Sequence, residues 1–204
     1  MRHLVILAHP EATSFNAAVA GAYASAVRDM GHDASLRDLY RRDFDPRLRA
    51  EELPWRKDFR PGDDVVAERQ IVAQADVIAL VYPLWFNAPP AMLKGYVERV
   101  FGMGFAYESA TPGTHPLLAG KGLVSVSTSG APGAWVDQTG ALKRLQAGFD
   151  DHVAAVCGLS VLEHLHLGAV TPGIRTDAAD AMLEEVRGMA RRLFAPAASA
   201  SALR

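Results

Sequence analysis

Cysteine is almost missing from this chain of 204 residues: Cys157 stands alone. A single thiol excludes an internal disulfide framework and any CxxC metal site, and makes a reducing cytoplasm the expected compartment. An excess of one charge is missing too. Lys and Arg number 21 against 23 Asp and Glu, a net charge of −2, which leaves no electrostatic case for nucleic acid or an anionic membrane. Long apolar runs are missing: stretches such as 4–8 and 77–81 are far too short to span a bilayer. Arg2 and the run after it do not read as a signal peptide, because His9 and Pro10 end the run and no small-residue cleavage site follows. There is no G-x-S-x-G elbow, which argues against an α/β hydrolase. There is no glycine-rich dinucleotide fingerprint or P-loop, and no internal repeat.

What is present suits one globular domain with a sizeable core, read as residues 1–194, followed by an Ala/Ser tail, 195–204, expected to be disordered. Leu4-Val5-Ile6-Leu7-Ala8 is apolar without alternation, as in a strand covered on both faces. A helix over 15–30 stops at Gly31, and a weaker strand follows at 34–39. Residues 40–62 are polar, with Asp45-Pro46 and Arg60-Pro61-Gly62, and read as a surface insertion. Asp63 is a candidate cap for a helix to Gln74. Residues 77–81 form a second buried strand. Pro89 and Pro90 suit the first turn of a helix whose Leu93, Tyr96, Val97, Val100 and Phe101 share a face. Residues 102–120 read as loop, and 123–126 as the next strand. Leu142, Leu145, Phe149, Val153 and Val156 mark one helix by their spacing. The last strand begins at 159–162, and Met182, Val186, Met189 and Leu193 mark the closing helix. The alternation predicts an open, doubly wound, five-stranded parallel sheet with helices on both faces.

Ligands of such sheets bind beyond the carboxyl ends of the strands, at the switch point. Three loops lie there. The first, 8–16, joins a buried strand to a helix N-terminus, a natural anion site. His9, Thr13, Ser14 and Asn16 can add donors, although Thr13 or Ser14 could merely cap the helix. The second carries Trp85, Phe86 and Asn87, two aromatics beside an amide, suited to a flat conjugated ligand or else to a hydrophobic plug. The third runs from Thr128, Ser129, Gly130 and Ala131 to Trp135, with small residues that admit close backbone approach. His164 and His166 alternate onto one strand face but have no third ligand at metal spacing, so they read as structural histidines. Cys157, in an apolar helix end, reads as inert. No metal site is expected.

Taken in order, several pieces resemble the flavodoxin-like NAD(P)H:quinone oxidoreductases, the DT-diaphorase family. They are Leu7-Ala8-His9-Pro10-Glu11 with Thr13-Ser14-Phe15-Asn16, Asp38-Leu39-Tyr40 with Phe44-Asp45-Pro46, and Tyr82-Pro83-Leu84-Trp85. Pro90-Ala91-Met92-Leu93-Lys94-Gly95, Glu98-Arg99-Val100-Phe101 and Gly104-Phe105-Ala106-Tyr107 complete the set. The resemblance implies sheet order 2-1-3-4-5 and a non-covalent flavin, FAD favoured over FMN, with NADH or NADPH as donor. It implies that His9, Phe15 and Asn16 hold the phosphate end. Pro83, Leu84, Trp85 and Phe86 would line the ring, and Thr128, Gly130 and Ala131 would sit behind its polar edge. Tyr107 would cover the pocket for a quinone-like acceptor, and the family implies a homodimer with the site at the interface. Animal-type members carry a tyrosine and a histidine where this chain has Val136 and Leu142, and a second pocket tyrosine where it has Ser109. That polar assistance is therefore absent or falls to Trp135 or to backbone N–H groups. A second reading is a flavin-binding regulatory subunit docked on a membrane transporter, distinguished by co-purification.

Overall fold

The computed structural model describes residues 1–196. Five parallel strands form its centre: β1 (Arg2–Leu7), β2 (Asp33–Asp38), β3 (Val77–Pro83), β6 (Gly122–Thr128) and β7 (Ser160–Leu167). Their order is β2-β1-β3-β6-β7, the predicted doubly wound arrangement. The chain reverses its winding between β1 and β3, which opens a crevice at their carboxyl ends. Strands β3 and β6 are buried at every position; in β3 this is why the sequence runs apolar without alternation, whereas β6 places the buried hydroxyls of Ser125 and Ser127 on one face.

Alternate residues of each strand feed two cores. Leu4, Ile6, Ile78, Leu80 and Tyr82 pack with α2 (Asp63–Gln74), α3 (Ala91–Val100) and α6 (Asp151–Cys157). Val5, Leu7, Ala79, Val81, Val124 and Val126 pack with α1 (Phe15–Asp29) and α7 (Thr176–Phe194). Alanine at 20, 22, 24 and 26 lets α1 lie close to the sheet and to α7.

Four local expectations are corrected. Residues 102–120 hold a short hairpin of β4 (Tyr107–Ser109) and β5 (Thr114–Pro116). The single helix expected across 142–156 is broken into α5 (Ala141–Leu145), a π turn at Gln146–Asp150, and α6. The apolar spacing survives this extra winding, so periodicity alone does not reveal it. Asp63 is the first residue of α2 rather than its cap, which is Gly62. Pro90 caps α3, which starts at Ala91. The expected tail lies outside the described residues from 197 onward.

The insertion 40–62 is tied down. The Arg99 side chain is fully buried on α3 and donates to Glu52 at 2.7 and 2.8 Å and to Asp64 at 2.7 and 3.0 Å. Beside it, a Cβ on Gly95 would stand 2.1 Å from the Pro46 carbonyl oxygen, so only glycine lets the insertion seat on α3.

Candidate active site at the carboxyl edge of the sheet

The first loop leaves β1 and turns into α1. Ser14 is the N-cap, and its hydroxyl accepts from the Ala17 N–H at 3.2 Å. The N–H groups of Phe15 and Asn16, in the first turn, have no intrahelical acceptor available. The loop is braced internally by the His9 ring, whose Nδ1 accepts from the Glu11 N–H at 3.1 Å. The buried Asn16 amide donates to the Thr128 hydroxyl at 3.0 Å and so locks the first loop to the third.

The second loop makes a two-residue turn. Trp85 and Ala88 exchange backbone hydrogen bonds at 3.1 Å, and Phe86 and Asn87 between them have φ of 52° and 56°. Two successive left-handed residues are what this turn requires, and phenylalanine is poorly suited to it. The Asn87 amide donates to the Ala141 carbonyl at 3.1 Å, while the Phe86 ring is wholly exposed.

The third loop is clasped by a fourth, which follows β7. Val170 N–H donates to the Ser129 carbonyl at 2.9 Å and Ala169 N–H to the Ala131 carbonyl at 2.7 Å. Ala169 itself is left-handed, with φ of 58°. Among the described residues no acceptor takes the N–H of Gly130 or Ala131. These loops enclose a cavity of about 470 Å³ between the ends of β1, β3 and β6. Of the predicted residues, His9, Thr13, Ser14, Phe15, Asn16, Pro83, Leu84, Trp85, Thr128, Ser129 and Gly130 line it. Phe86 and Asn87 instead line an adjoining cavity with Arg144 and Phe149. Tyr107 lines a third, which meets the second at Lys94, Gly148 and Phe149. Trp135 is exposed on α4 (Gly133–Gln138), and Ala131 turns its carbonyl toward the fourth loop.

Sequence reasoning missed the fourth loop, Val170 to Ile174, which forms one wall. Its Pro172-Gly173 pair, just past a strand, was the available signal. It also missed a buried polar chain under the third loop. The Ser125 hydroxyl donates to Asp150 at 2.7 Å, and His164 Nδ1 donates to the other Asp150 oxygen at 2.5 Å. Ser127 Oγ sits 2.7 Å from His164 Nε2 and 2.9 Å from His166 Nδ1. His166 Nε2 in turn lies 3.0 Å from Ser129 Oγ, at the cavity wall. Burial, and then the neighbouring His164, hold the His166 pKa below its ordinary value, opposed by Asp137. Burial, with the Asp150 carboxylate second, raises the Tyr82 phenol well above its ordinary value. That hydroxyl has no hydrogen-bond partner of good geometry among the described residues. Cys157 is buried at the end of α6, and burial pushes its thiol up to about 11, which leaves it unreactive.

A doubly wound sheet with an open helix start, an aromatic wall and free backbone donors at its switch point defines the class: a flavodoxin-like nucleotide-cofactor protein. The family model described as "Flavodoxin-like fold" matches residues 1–190. An uncharacterized NAD(P)H oxidoreductase of Haemophilus influenzae is 35% identical over 80% of this chain and 81% of that protein. NAD(P)H dehydrogenase [quinone] 1 of Cavia porcellus is 32% identical over 86% of this chain and 72% of that protein. The structure of NAD(P)H:quinone oxidoreductase from Methanothermobacter marburgensis superposes with a TM-score of 0.84 at 26% identity, covering 95% of this chain and 96% of that one. The chain belongs to the flavodoxin-like NAD(P)H:quinone oxidoreductase family and is an oxidoreductase. A flavin and a nicotinamide nucleotide are the cofactors that this membership calls for.

Proposed function

We propose that the chain is a flavin-dependent oxidoreductase that takes hydride from NADH or NADPH and passes two electrons to a quinone or similar acceptor by a ping-pong mechanism. The observation that carries this reading is the cavity itself. An apolar wall of Phe15, Pro83, Leu84, Trp85 and Ile174 meets the start of α1 on one side and the free Gly130 N–H on the other. That donor set fits a flavin, with a flat ring, a polar ring edge and an anionic tail. A bound flavin supplies the hydride-accepting ring; the protein binds, orients and tunes it.

Phe15 and Asn16 N–H groups, with His9 and Thr13, take the phosphate end. Ser14 holds that helix start in place. Pro83, Leu84 and Trp85 flank the ring. Gly130, with Ala131 next to it, would donate to its polar edge, where a reduced flavin would carry negative charge, and Thr128 and Ser129 would support that loop. FAD is favoured over FMN because Arg41, at the start of the insertion, donates to the Pro10 carbonyl. That contact sets the polar chain of the insertion beside the first loop. Phe86 and Asn87 border the second cavity and Tyr107 the third, neighbours that share Lys94, Gly148 and Phe149 as lining and offer a place for the acceptor. The exposure of the large apolar side chains Trp85, Phe86 and Trp135, all on loops or elements at the carboxyl edge of the sheet, suits a homodimer with the site at its interface.

Steady-state kinetics test the mechanism. Parallel double-reciprocal lines for NADPH at several quinone concentrations are expected, and intersecting lines would require a ternary complex instead. The mass of the flavin released on denaturation distinguishes FAD from FMN.

A further inference from the structure

The buried chain from Asp150 to Ser129 is more polar than packing needs. Ser125, Ser127 and Asp150 are each no more than 1% exposed, and the His164 side chain is equally enclosed. Two features set it up. Parallel register pairs Ser125 with His164 and Ser127 with His166, so hydroxyls and imidazoles share one sheet face. The π turn at Gln146–Asp150 brings Asp150 onto that face from the helical layer above. Such turns recur at functional sites.

Hydrogen-bond polarity follows from the fixed end. A carboxylate only accepts, so His164 Nδ1 carries a proton, and in the neutral ring its Nε2 accepts from the Ser127 hydroxyl. The Ser127 oxygen then accepts from His166 Nδ1–H, and His166 Nε2 accepts from the Ser129 hydroxyl. Every group is satisfied with both imidazoles neutral. Add one proton to His166 Nε2, and every group is satisfied again. The imidazolium donates to Ser127 and Ser129, and the Ser129 hydrogen swings to the Ala131 carbonyl, 3.2 Å away. That carbonyl has a second lone pair beyond the one used by Ala169 N–H. The chain therefore has two complete hydrogen-bond arrangements, differing by one proton and by the orientation of a hydroxyl at the cavity wall.

We propose that Asp150, His164, Ser127, His166 and Ser129 form a proton-holding relay that lodges a proton on His166 when the flavin beside Ser129 is reduced. This rests on the proposed flavin reaction. Hydride from NAD(P)H carries two electrons and one proton to the flavin and leaves a negative charge there. The relay's proton comes from solvent, which reaches the half-buried His166. The only new bond is Nε2–H, and none to the cofactor forms or breaks. The titratable groups facing His166 are His164 on its own strand, Asp137 on α4, and Asp150 through His164 and Ser127. In the resting state burial, the largest cause, favours its neutral form. A new negative charge across Ser129 reverses that balance. Ser127, His164 and Asp150 act as positioning residues, through His166.

Histidine side-chain NMR titration of the flavin-free protein tests the relay without activity, with the His166 signal assigned from its loss in His166→Gln. Asp150→Asn should lower the His166 midpoint. In a Ser127→Ala background the same substitution should move it several-fold less, because the hydrogen-bonded path is cut while the distance is unchanged. Ser129→Ala, at the wall, should leave the Asp150 coupling intact and guards against a Ser127→Ala variant that folds poorly. The holoenzyme is then reduced with NADPH in weak buffer with a pH indicator. Wild type should take up an additional proton per flavin relative to His166→Gln. A His166 midpoint indifferent to Asp150 overturns the relay, as does equal proton uptake by a wild type and a His166→Gln variant that both hold flavin. A protein with intact histidine coupling that binds no flavin overturns the proposed function instead, and with it the relay's purpose.

Discussion

At the scale of single residues, Gly130 and His3 carry the clearest consequences. A Cβ on Gly130 would have ordinary room, with its neighbours Val170 O and Thr171 Cγ2 at 3.7 and 3.8 Å, but a larger side chain would fill the cavity between the third and fourth loops. Gly130→Phe should therefore fold normally and lose flavin; retained flavin stoichiometry would refute its placement at the ring edge. His3 lies at the opposite edge of the sheet, 1% exposed, with Nδ1 2.9 Å from the Tyr23 hydroxyl and Nε2 3.1 Å from His32 Nδ1. Burial first, then His32, lower its pKa to about 4. The unfolded chain binds this proton near pH 6.5 and the folded protein only near 4, so the unfolded state holds more protons in that window. Stability should fall as pH drops from about 6.5 to about 4 on His3's account. In His3→Gln the urea midpoint should fall less steeply across this window, although the variant starts from a lower value because ring contacts with Phe194 are lost.

At the scale of elements, the insertion and the Trp85 turn show how local chemistry is held by its surroundings. Arg99 joins α3 to the insertion through Glu52 and Asp64 with its own side chain wholly buried. Burial works against its charge, but the hydrogen bonds to Glu52 and Asp64 outweigh this and raise its pKa. Arg99→Met would strand the Glu52 carboxylate and should cost about 3–5 kcal/mol in urea denaturation. The Trp85 turn runs the other way. Phe86 occupies a left-handed position and exposes its whole ring. Phe86→Gly should stabilise the fold by about 1 kcal/mol by relieving that strain. It should weaken dimerisation and acceptor turnover, measured by sedimentation and steady-state rates.

The same elements show what could be read in the sequence. The runs at 4–8 and 77–81 announced buried parallel strands because burial on both faces erases alternation. The first and third loops were legible because a strand end followed by capping or small residues is a local signal. Asp150, by contrast, looks like an unremarkable acid beside Asp151. Its meaning comes from a π turn that the apolar spacing conceals and from a strand register that sets Ser125 beside His164, the two partners Asp150 reaches from 25 and 14 positions away. His164 and His166 read as structural histidines, and only the three-dimensional pairing with Ser127 joins them into a path to the cavity. Arg99 with Glu52 was hidden for the same reason, at 47 residues apart.

At the scale of the whole molecule, fold and site agree. The order β2-β1-β3-β6-β7 puts the switch point where the four loops meet. No helix among the described residues is long and apolar enough to cross a membrane. The central claim, a flavin held at this edge and reduced by a nicotinamide nucleotide, is tested most directly by one absorbance spectrum. The purified protein, as isolated or after incubation with FAD or FMN, should be yellow and should bleach when NADPH or NADH is added without air. A colourless protein that takes up neither flavin, or a bound flavin that neither nucleotide reduces, would contradict it.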